Sequence, residues 1–487
     1  MKINKILYII VTGFFVLLLN QKVFAWNEET HMNLSQYAAE NSILELSQGN
    51  YMSKLGYENG INEKFLWNNK MQEIFKWIRE GAFFEDAGSN RDAITGRARF
   101  TNHFHNPLKP WDSAGLSDLQ SGESSLKWAQ DSAKQSVSIG EDWSWQKIRV
   151  HYYNAITKTT DTERLAYFAQ TFRGLGQQMH LIQDAAQPAH VRNDAHPIDG
   201  AGWTNGLETW TKKKLQNLGA MKYFAPNPLF SQATLDISND GYAPITQFID
   251  TKQYVGSLIP DTSLTWGLSE YTNSNFVSDD TIFTNNFSQS DEHYFPYPKY
   301  SAQCYEIFEE DFLIYLKRLY LRKKSDNGCG GEFIEHFAVA SPSFKYLGFN
   351  SAIQKLALKL DTRVHSDYAS LLIPRAVGYS AGLLNYFFRG DMFMMSDFDL
   401  GYGYVIVNNT DEDVSGTFEL WYDNINDERV KITNWEFSLD KESSGNNRSP
   451  NISFIKPTDA KEECKYIFVF RGQMGQEQDA VAGRILY

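Results

Sequence analysis

One eleven-residue stretch, His180-Leu181-Ile182-Gln183-Asp184-Ala185-Ala186-Gln187-Pro188-Ala189-His190, constrains this chain more than any other. It closes a run in which Leu165, Phe168, Phe172, Leu175, Met179 and Ile182 recur at three- and four-residue steps, the period of a helix with one apolar face. His180 and Asp184, four apart, project from the same side of that helix. Pro188 lacks a backbone donor and disfavours helical geometry at Gln187, so the helix is expected to end just before it. The turn beyond it can swing His190 back toward the first two. Two imidazoles and a carboxylate this close form a donor mixture that zinc accepts. A buried polar pair at a helix end is the plainer reading of the same residues.

At 487 residues the chain exceeds one core, so two or more domains are expected. Lys2 and Lys5 precede an apolar run from Ile6 to Leu19, and Val23-Phe24-Ala25 offers small residues where a signal peptidase cuts. That run is about 14 residues, short of the roughly 20 that span a bilayer. Residues 1–25 therefore read as a cleaved export signal rather than an anchor, which places the mature protein in a periplasm or outside the cell. Cleavage removes Lys2, Lys5 and Lys22 and moves the formal charge from −13 to −16. So acidic a protein is poorly suited to holding nucleic-acid backbones or anionic membranes by its field alone. Cys304, Cys329 and Cys464 are too few for a disulfide framework or a thiolate zinc site; Cys304 and Cys329 could bridge in an exported protein.

Cleavage after Ala25 would leave Trp26 as the first residue, with His31 close behind. A free α-amine and its own carbonyl oxygen can chelate a metal. The spacing predicts a helix over 62–84, running into Glu85-Asp86 after Gly81, which marks a loss of helical order. His103 follows in an aromatic segment closed by Pro107. Taken singly, Asp86 and His103 are cap or turn residues. Amphipathic stretches are expected at 124–136 and 143–160, with His151 a core histidine, and Glu208 begins a further helix. Residues 222–300 look like a loop-bearing insertion, and helices are expected to resume at 300–322 and 365–389. Past Gly390 the pattern changes. Short β-branched and aromatic runs at 404–407, 417–422, 435–439, 452–455, 466–470 and 484–487 predict a small β-sandwich of about 95 residues. Asp411, Glu412 and Asp413 on its first turn are a calcium candidate or simply a solvated turn.

A terminal Trp with a nearby His, Gly-x-x-x-x-Asp ending at Asp86, a His-Phe-x-x-Pro at His103, and His-x3-Asp-x5-His at 180–190 recur here in order. Together with Arg-x5-Ala-Gly-x4-Phe at 375–387 they resemble the bacterial zinc-dependent phospholipase C family and its relatives, the zinc single-strand nucleases. The resemblance covers most of 26–390. It implies a mainly α fold: an all-α catalytic domain at 26–390 followed by a β-sandwich accessory domain at 391–487. It also implies two to three zinc ions. One would be held by Asp86, His103, His180 and Asp184, and a second by the Trp26 amine and carbonyl, His31 and a bridging Asp184. A third would take His190, Glu208 and another imidazole. Where the family places that imidazole this chain has Thr204, and His196 is the nearest substitute.

The activity so implied is phosphodiester hydrolysis, with Asp86 accepting the proton. Cleaving a glycerophospholipid would release diacylglycerol and a phosphorylated head group. Family members that take choline use an acid, an aromatic and a Phe at places that are Glu29, Ala87 and Phe100 here, so two of three match. A nuclease on the same scaffold and a non-catalytic secreted binding protein are the competing readings. The β domain is expected to dock on lipid or to pack on the helical domain.

Overall fold

The computed structural model describes residues 28–486 except 88–91, 93–94, 118–120, 195–205, 230–243, 284–287, 292–293, 314–315, 342–357, 398–402 and 462–464. Residues 1–25, read above as an export signal, and Trp26, His196, Thr204 and Cys464 therefore lie outside the described residues.

The predicted central helix is α4, Asp161–Asp184, after α1 (Glu28–Glu40), α2 (Ile74–Phe84) and α3 (Trp145–Thr157). Thr160 and Glu163 form a reciprocal capping box at its start. At its end Gln187 is extended, as a residue before proline must be, and Pro188 opens the short helix α5 (Pro188–Val191). Every residue of α4 from Phe172 to Asp184 is buried. Glycines make that possible. A Cβ on Gly176 would collide with the carbonyl oxygen of Ile78, and one on Gly81 with that of Arg173, so α2 and α4 touch backbone to backbone. Gly81 lies inside α2 and is not the expected break.

The helix expected over 62–84 is a hairpin followed by a helix. Strands β1 (Lys64–Trp67) and β2 (Lys70–Glu73) pair antiparallel. Asn68 and Asn69 between them both take positive φ, 50° and 60°, the two-residue turn that matches strand twist. Phe65 stacks on Phe168 of α4, so the hairpin belongs to the helical core. The amphipathic stretches become short helices at Ser125–Trp128 and Ser132–Val137 and the longer α3. Further along come α6 (Leu207–Lys214), α7 (Leu268–Asn275) and α8 (Thr362–Phe387).

The helical region is not all-α. Residues expected to form a helix at 300–322 make the strands β3 (Tyr305–Leu313) and β4 (Leu316–Lys323), continued by β5 (Ile334–Ala340) and β6 (Leu358–Lys359) in one antiparallel sheet. Opposite charges face each other across the first pair, Glu306 with Arg322 and Asp311 with Lys317. Cys304 and Cys329 form a disulfide beside it.

Beyond α8 a two-stranded sheet, β7 (Met392–Asp397) and β8 (Gly403–Asn408), faces a four-stranded antiparallel sheet ordered β10-β9-β11-β12. Its strands are β9 (Val414–Asp423), β10 (Arg429–Leu439), β11 (Tyr466–Met474) and β12 (Glu477–Leu486). Residues 452–455 contribute an isolated bridge at Ile452 rather than a strand. Alternate residues of β11 serve two cores: Phe468 and Phe470 face the sandwich interior, Ile467 and Val469 the helical core. Glu477 fastens the two regions, accepting from Trp145 Nε1 at 2.7 Å, Arg149 Nε at 2.7 Å and Arg389 Nη1 at 2.8 Å. Glu412, one of the calcium candidates, pairs with Arg389, and Asp413 Oδ1 accepts the Lys441 amide.

Candidate metal centre

Four segments meet where α2 ends against α4. Helix α1 brings His31, the last turn of α2 leads to Asp86, the turn after Phe100–Asn102 brings His103, and α4 brings His180 and Asp184. All five side chains are buried. Their donor atoms fall into two groups, His31 with His180 and Asp184, and Asp86 with His103 and His180, each within 4.8 Å. Asp184 is central. Its Oδ1 lies 3.3 Å from His31 Nε2, and its Oδ2 lies 3.0 Å from His103 Nδ1 and 3.3 Å from His180 Nε2. Asp86 Oδ1 is 3.6 Å from His103 Nδ1 and 3.7 Å from His180 Nε2.

The outward nitrogens fix which atoms face inward. His180 Nδ1 is 2.7 Å from the Ala82 carbonyl oxygen, which only accepts, so Nδ1 carries the proton and Nε2 presents a lone pair. His31 Nδ1 is 2.8 Å from Gln183 Oε1, while the Gln183 amide nitrogen donates to Ser35 and Ser380 hydroxyls. His31 Nε2 is therefore an acceptor as well. Both oxygens of Asp86 and Asp184, both Nε2 atoms and both ring nitrogens of His103 are buried without a hydrogen-bond partner. Buried carboxylate oxygens and imidazole nitrogens this close, with no other hydrogen-bond partner, are a donor set that a cation can occupy. These residues fit a metal.

The charges respond accordingly. Burial and the neighbouring His180 push His31 down to about 4. Burial alone would depress His103, but Asp184, Glu85 and Asp86 carry it up to about 10. Burial raises Asp86 to about 6. Burial also opposes the charge on Asp184, yet His180, His103, His190 and His31 hold it well below the usual carboxylate range.

His190 and Glu208, expected at a third ion, are buried but belong to neither group. His190 Nδ1 is 3.2 Å from the His103 carbonyl oxygen, and its ring stacks on Phe104. Glu208 lines a cavity of about 210 Å³ together with Gln187, Ala189, Asp194 and Leu207. Of the two expected substrate residues, Glu29 is exposed on α1, and Phe100 is 1% exposed in a cluster with Ala98, Phe104 and Leu116. His151 is buried.

Sequence reasoning missed two orienting residues, Gln183 and Glu85. Glu85 takes Arg99 Nη2 at 2.8 Å and Trp128 Nε1 at 2.7 Å, and its Oε1 faces His103 Nε2 at 3.8 Å. Their signal was adjacency: each is the immediate chain neighbour of an expected ligand.

Fold and site thus define a helical protein with a buried histidine–aspartate centre and a C-terminal pair of β-sheets. No family model and no curated protein matches the sequence. Among solved structures it is similar to the alpha toxin from Clostridium absonum, at 11% identity, covering 95% of this chain and 100% of that chain with a TM-score of 0.25. It is likewise similar to Clostridium perfringens alpha-toxin from avian strain SWCP, at 11% identity, covering 96% and 100% with a TM-score of 0.24. Likeness at such scores carries no weight for function, so the chemistry of this chain has to be read from its own atoms.

Proposed function

We propose that the chain is an exported zinc-dependent phosphodiester hydrolase whose substrate is a glycerophospholipid. One observation carries the reading: buried Nε2 lone pairs of His31 and His180 converge with the partnerless carboxylates of Asp86 and Asp184. Nitrogen and carboxylate donors in that mixture suit zinc. When bound there, zinc lowers the pKa of a water toward about 7 and neutralises phosphoryl oxygens.

The chain's own part is positional. Ala82 O and Gln183 Oε1 hold the His180 and His31 protons at Nδ1, outside the site. Asp184 meets His31 through Oδ1 and His103 and His180 through Oδ2, while His180 is common to both donor groups. Asp86, buried with neither oxygen hydrogen-bonded, is the proposed acceptor of a proton from an attacking water. Burial of all five excludes bulk water, which strengthens each electrostatic contact. His190 and Glu208, with the Trp26 terminus and His196, remain the proposed additional ligands. Phe83 and Phe84, just before Glu85 and Asp86, are 37% and 38% exposed and give that end of α2 an apolar surface, which supports lipid over a soluble nucleotide. No helix among the described residues is long and apolar enough to cross a membrane.

The test is a single series on purified protein with zinc quantified: phosphatidylcholine, phosphatidylinositol and single-stranded DNA offered in turn. Release of diacylglycerol supports the proposal. Turnover of DNA alone would replace it with the nuclease reading.

A further inference from the structure

Val255, Leu258 and Ile259 are 65%, 49% and 55% exposed, three large apolar side chains within five residues. Their loop is built, not frayed. At its base Asp250 Oδ1 accepts the Lys252 amide at 2.7 Å, and Oδ2 accepts Trp111 Nε1 at 2.6 Å. Glu270 accepts the amides of Thr251 at 2.9 Å and Tyr254 at 2.8 Å. At the tip Gly256 takes a φ of +75°, and a Cβ there would run into Pro296 and Leu108. Ile259 and Pro260 rest on Gly330, the residue next to Cys329 of the Cys304–Cys329 disulfide. A chain that anchors a loop this thoroughly and still displays apolar side chains is presenting them.

The surroundings name the partner. Val255 shares an open cavity of about 590 Å³ with Lys109, Trp111 and Lys252, and the Lys252 ammonium sits 4.0 Å over the Trp111 ring. Asp112 in the same lining is paired with Lys127. An apolar tip backed by an aromatic ring and lysines follows the polarity order of a bilayer surface, from acyl chains to phosphates. The loop is also tied to the candidate centre. Asp250 Oδ2 lies 2.9 Å from His105 Nε2, and the His105 amide donates to the carbonyl oxygen of His190 at 3.1 Å.

We propose that the 255–259 loop is a membrane-contacting tip that inserts into a zwitterionic phospholipid surface, with Trp111, Lys109 and Lys252 at head-group level. The inference rests on the lipid reading of the site and adds where the lipid surface lies. The formal charge of −13 argues against capture by long-range attraction, so the apolar tip supplies the adhesion.

The test uses the chain from Trp26 onward and phosphatidylcholine vesicles, with pelleted protein and released head group read from the same tube. The variant Val255→Ser/Leu258→Ser/Ile259→Ser should lower the bound fraction at least about tenfold, with unfolding temperature and hydrolysis of a soluble aryl phosphodiester unchanged. Lys109→Gln/Lys252→Gln should weaken binding less. Wild-type protein that stays in the supernatant, or a triple variant that pellets equally, overturns the inference. So does a wild type that ignores vesicles but self-associates while the triple variant is monomeric. Vesicle binding without head-group release would instead leave the surface standing and sink the proposed activity.

Discussion

The Nε2 atom of His180 lies 3.3 Å from Oδ2 of Asp184, one helical turn further along α4, and both atoms are buried. With a proton of His180 held outward on the Ala82 carbonyl, the neutral ring turns its Nε2 lone pair toward the carboxylate. The same relation repeats between Asp184 Oδ1 and His31 Nε2, also 3.3 Å apart. One carboxylate thus has an imidazole nitrogen on each side, an arrangement that a shared cation can occupy.

Replacing that carboxylate should empty the site. Asp184→Asn keeps the shape but removes the charge that faces His31, His103 and His180. Metal affinity should fall by more than the roughly 10- to 100-fold typical of an orienting residue, and hydrolysis of a phosphodiester should fall with it. Metal analysis of the dialysed variant is the check.

Gln183 reaches the metal centre through His31. Gln183→Leu removes the acceptor that keeps the His31 proton at Nδ1 and leaves the Ser35 and Ser380 hydroxyls without their amide. Metal affinity should drop about 10- to 100-fold, read by competition with a chromogenic chelator. Asp86-dependent steps should be untouched once zinc is in excess, so saturating metal should restore most of the rate.

The glycine contact between α2 and α4 sets the spacing of Asp86 and His180. Gly176→Ala drives a methyl group into the Ile78 carbonyl. The expected cost is at least about 1–3 kcal/mol of overpacking, seen as a lower unfolding temperature. Metal retention should fall as well, because the two helices each carry part of one donor group.

Glu477 links the β-sheets to the helical region and makes stability depend on pH. Burial opposes its charge, but Arg149 and Arg389 hold its carboxyl down to about 2. Against an unfolded value near 4.5, the stabilisation is fully present above pH 4.5 and disappears as pH falls toward 2. Its full size is about 3 kcal/mol. In Glu477→Gln the dependence of unfolding free energy on pH should flatten across that window. The variant should also be weaker at neutral pH, because two arginines lose their buried partner.

The central helix and the His180–Asp184 pair are legible in the sequence because α4 is long, periodic and ended by a proline, signals that lie within a few residues of one another. Other segments mislead for local reasons of a different kind. The 62–73 segment carries apolar residues at spacings a helix tolerates, and only the Asn68-Asn69 turn distinguishes it as a hairpin. In the 305–323 segment Tyr305, Phe308, Phe312 and Tyr315 recur at three- and four-residue steps, as in a helix, but its opposite charges pair across strands. Gly81 reads as a break because its reason, the Arg173 carbonyl of another helix, is invisible along the chain. His31, Asp86 and His103 are single residues without pattern, and the family resemblance, not their spacing, points to them. The structure brings these three together with His180 and Asp184; Trp26 and His196 lie outside the described residues.

Metal content separates a zinc centre from a buried polar cluster most directly. Full-length protein purified without added metal or chelator should carry at least one tightly held zinc per chain by mass spectrometry. His180→Ala, a residue common to both donor groups, should lose it while retaining its helical circular dichroism. A wild-type protein that folds, unfolds cooperatively and binds no divalent metal at micromolar zinc would contradict the zinc centre and the hydrolase built on it.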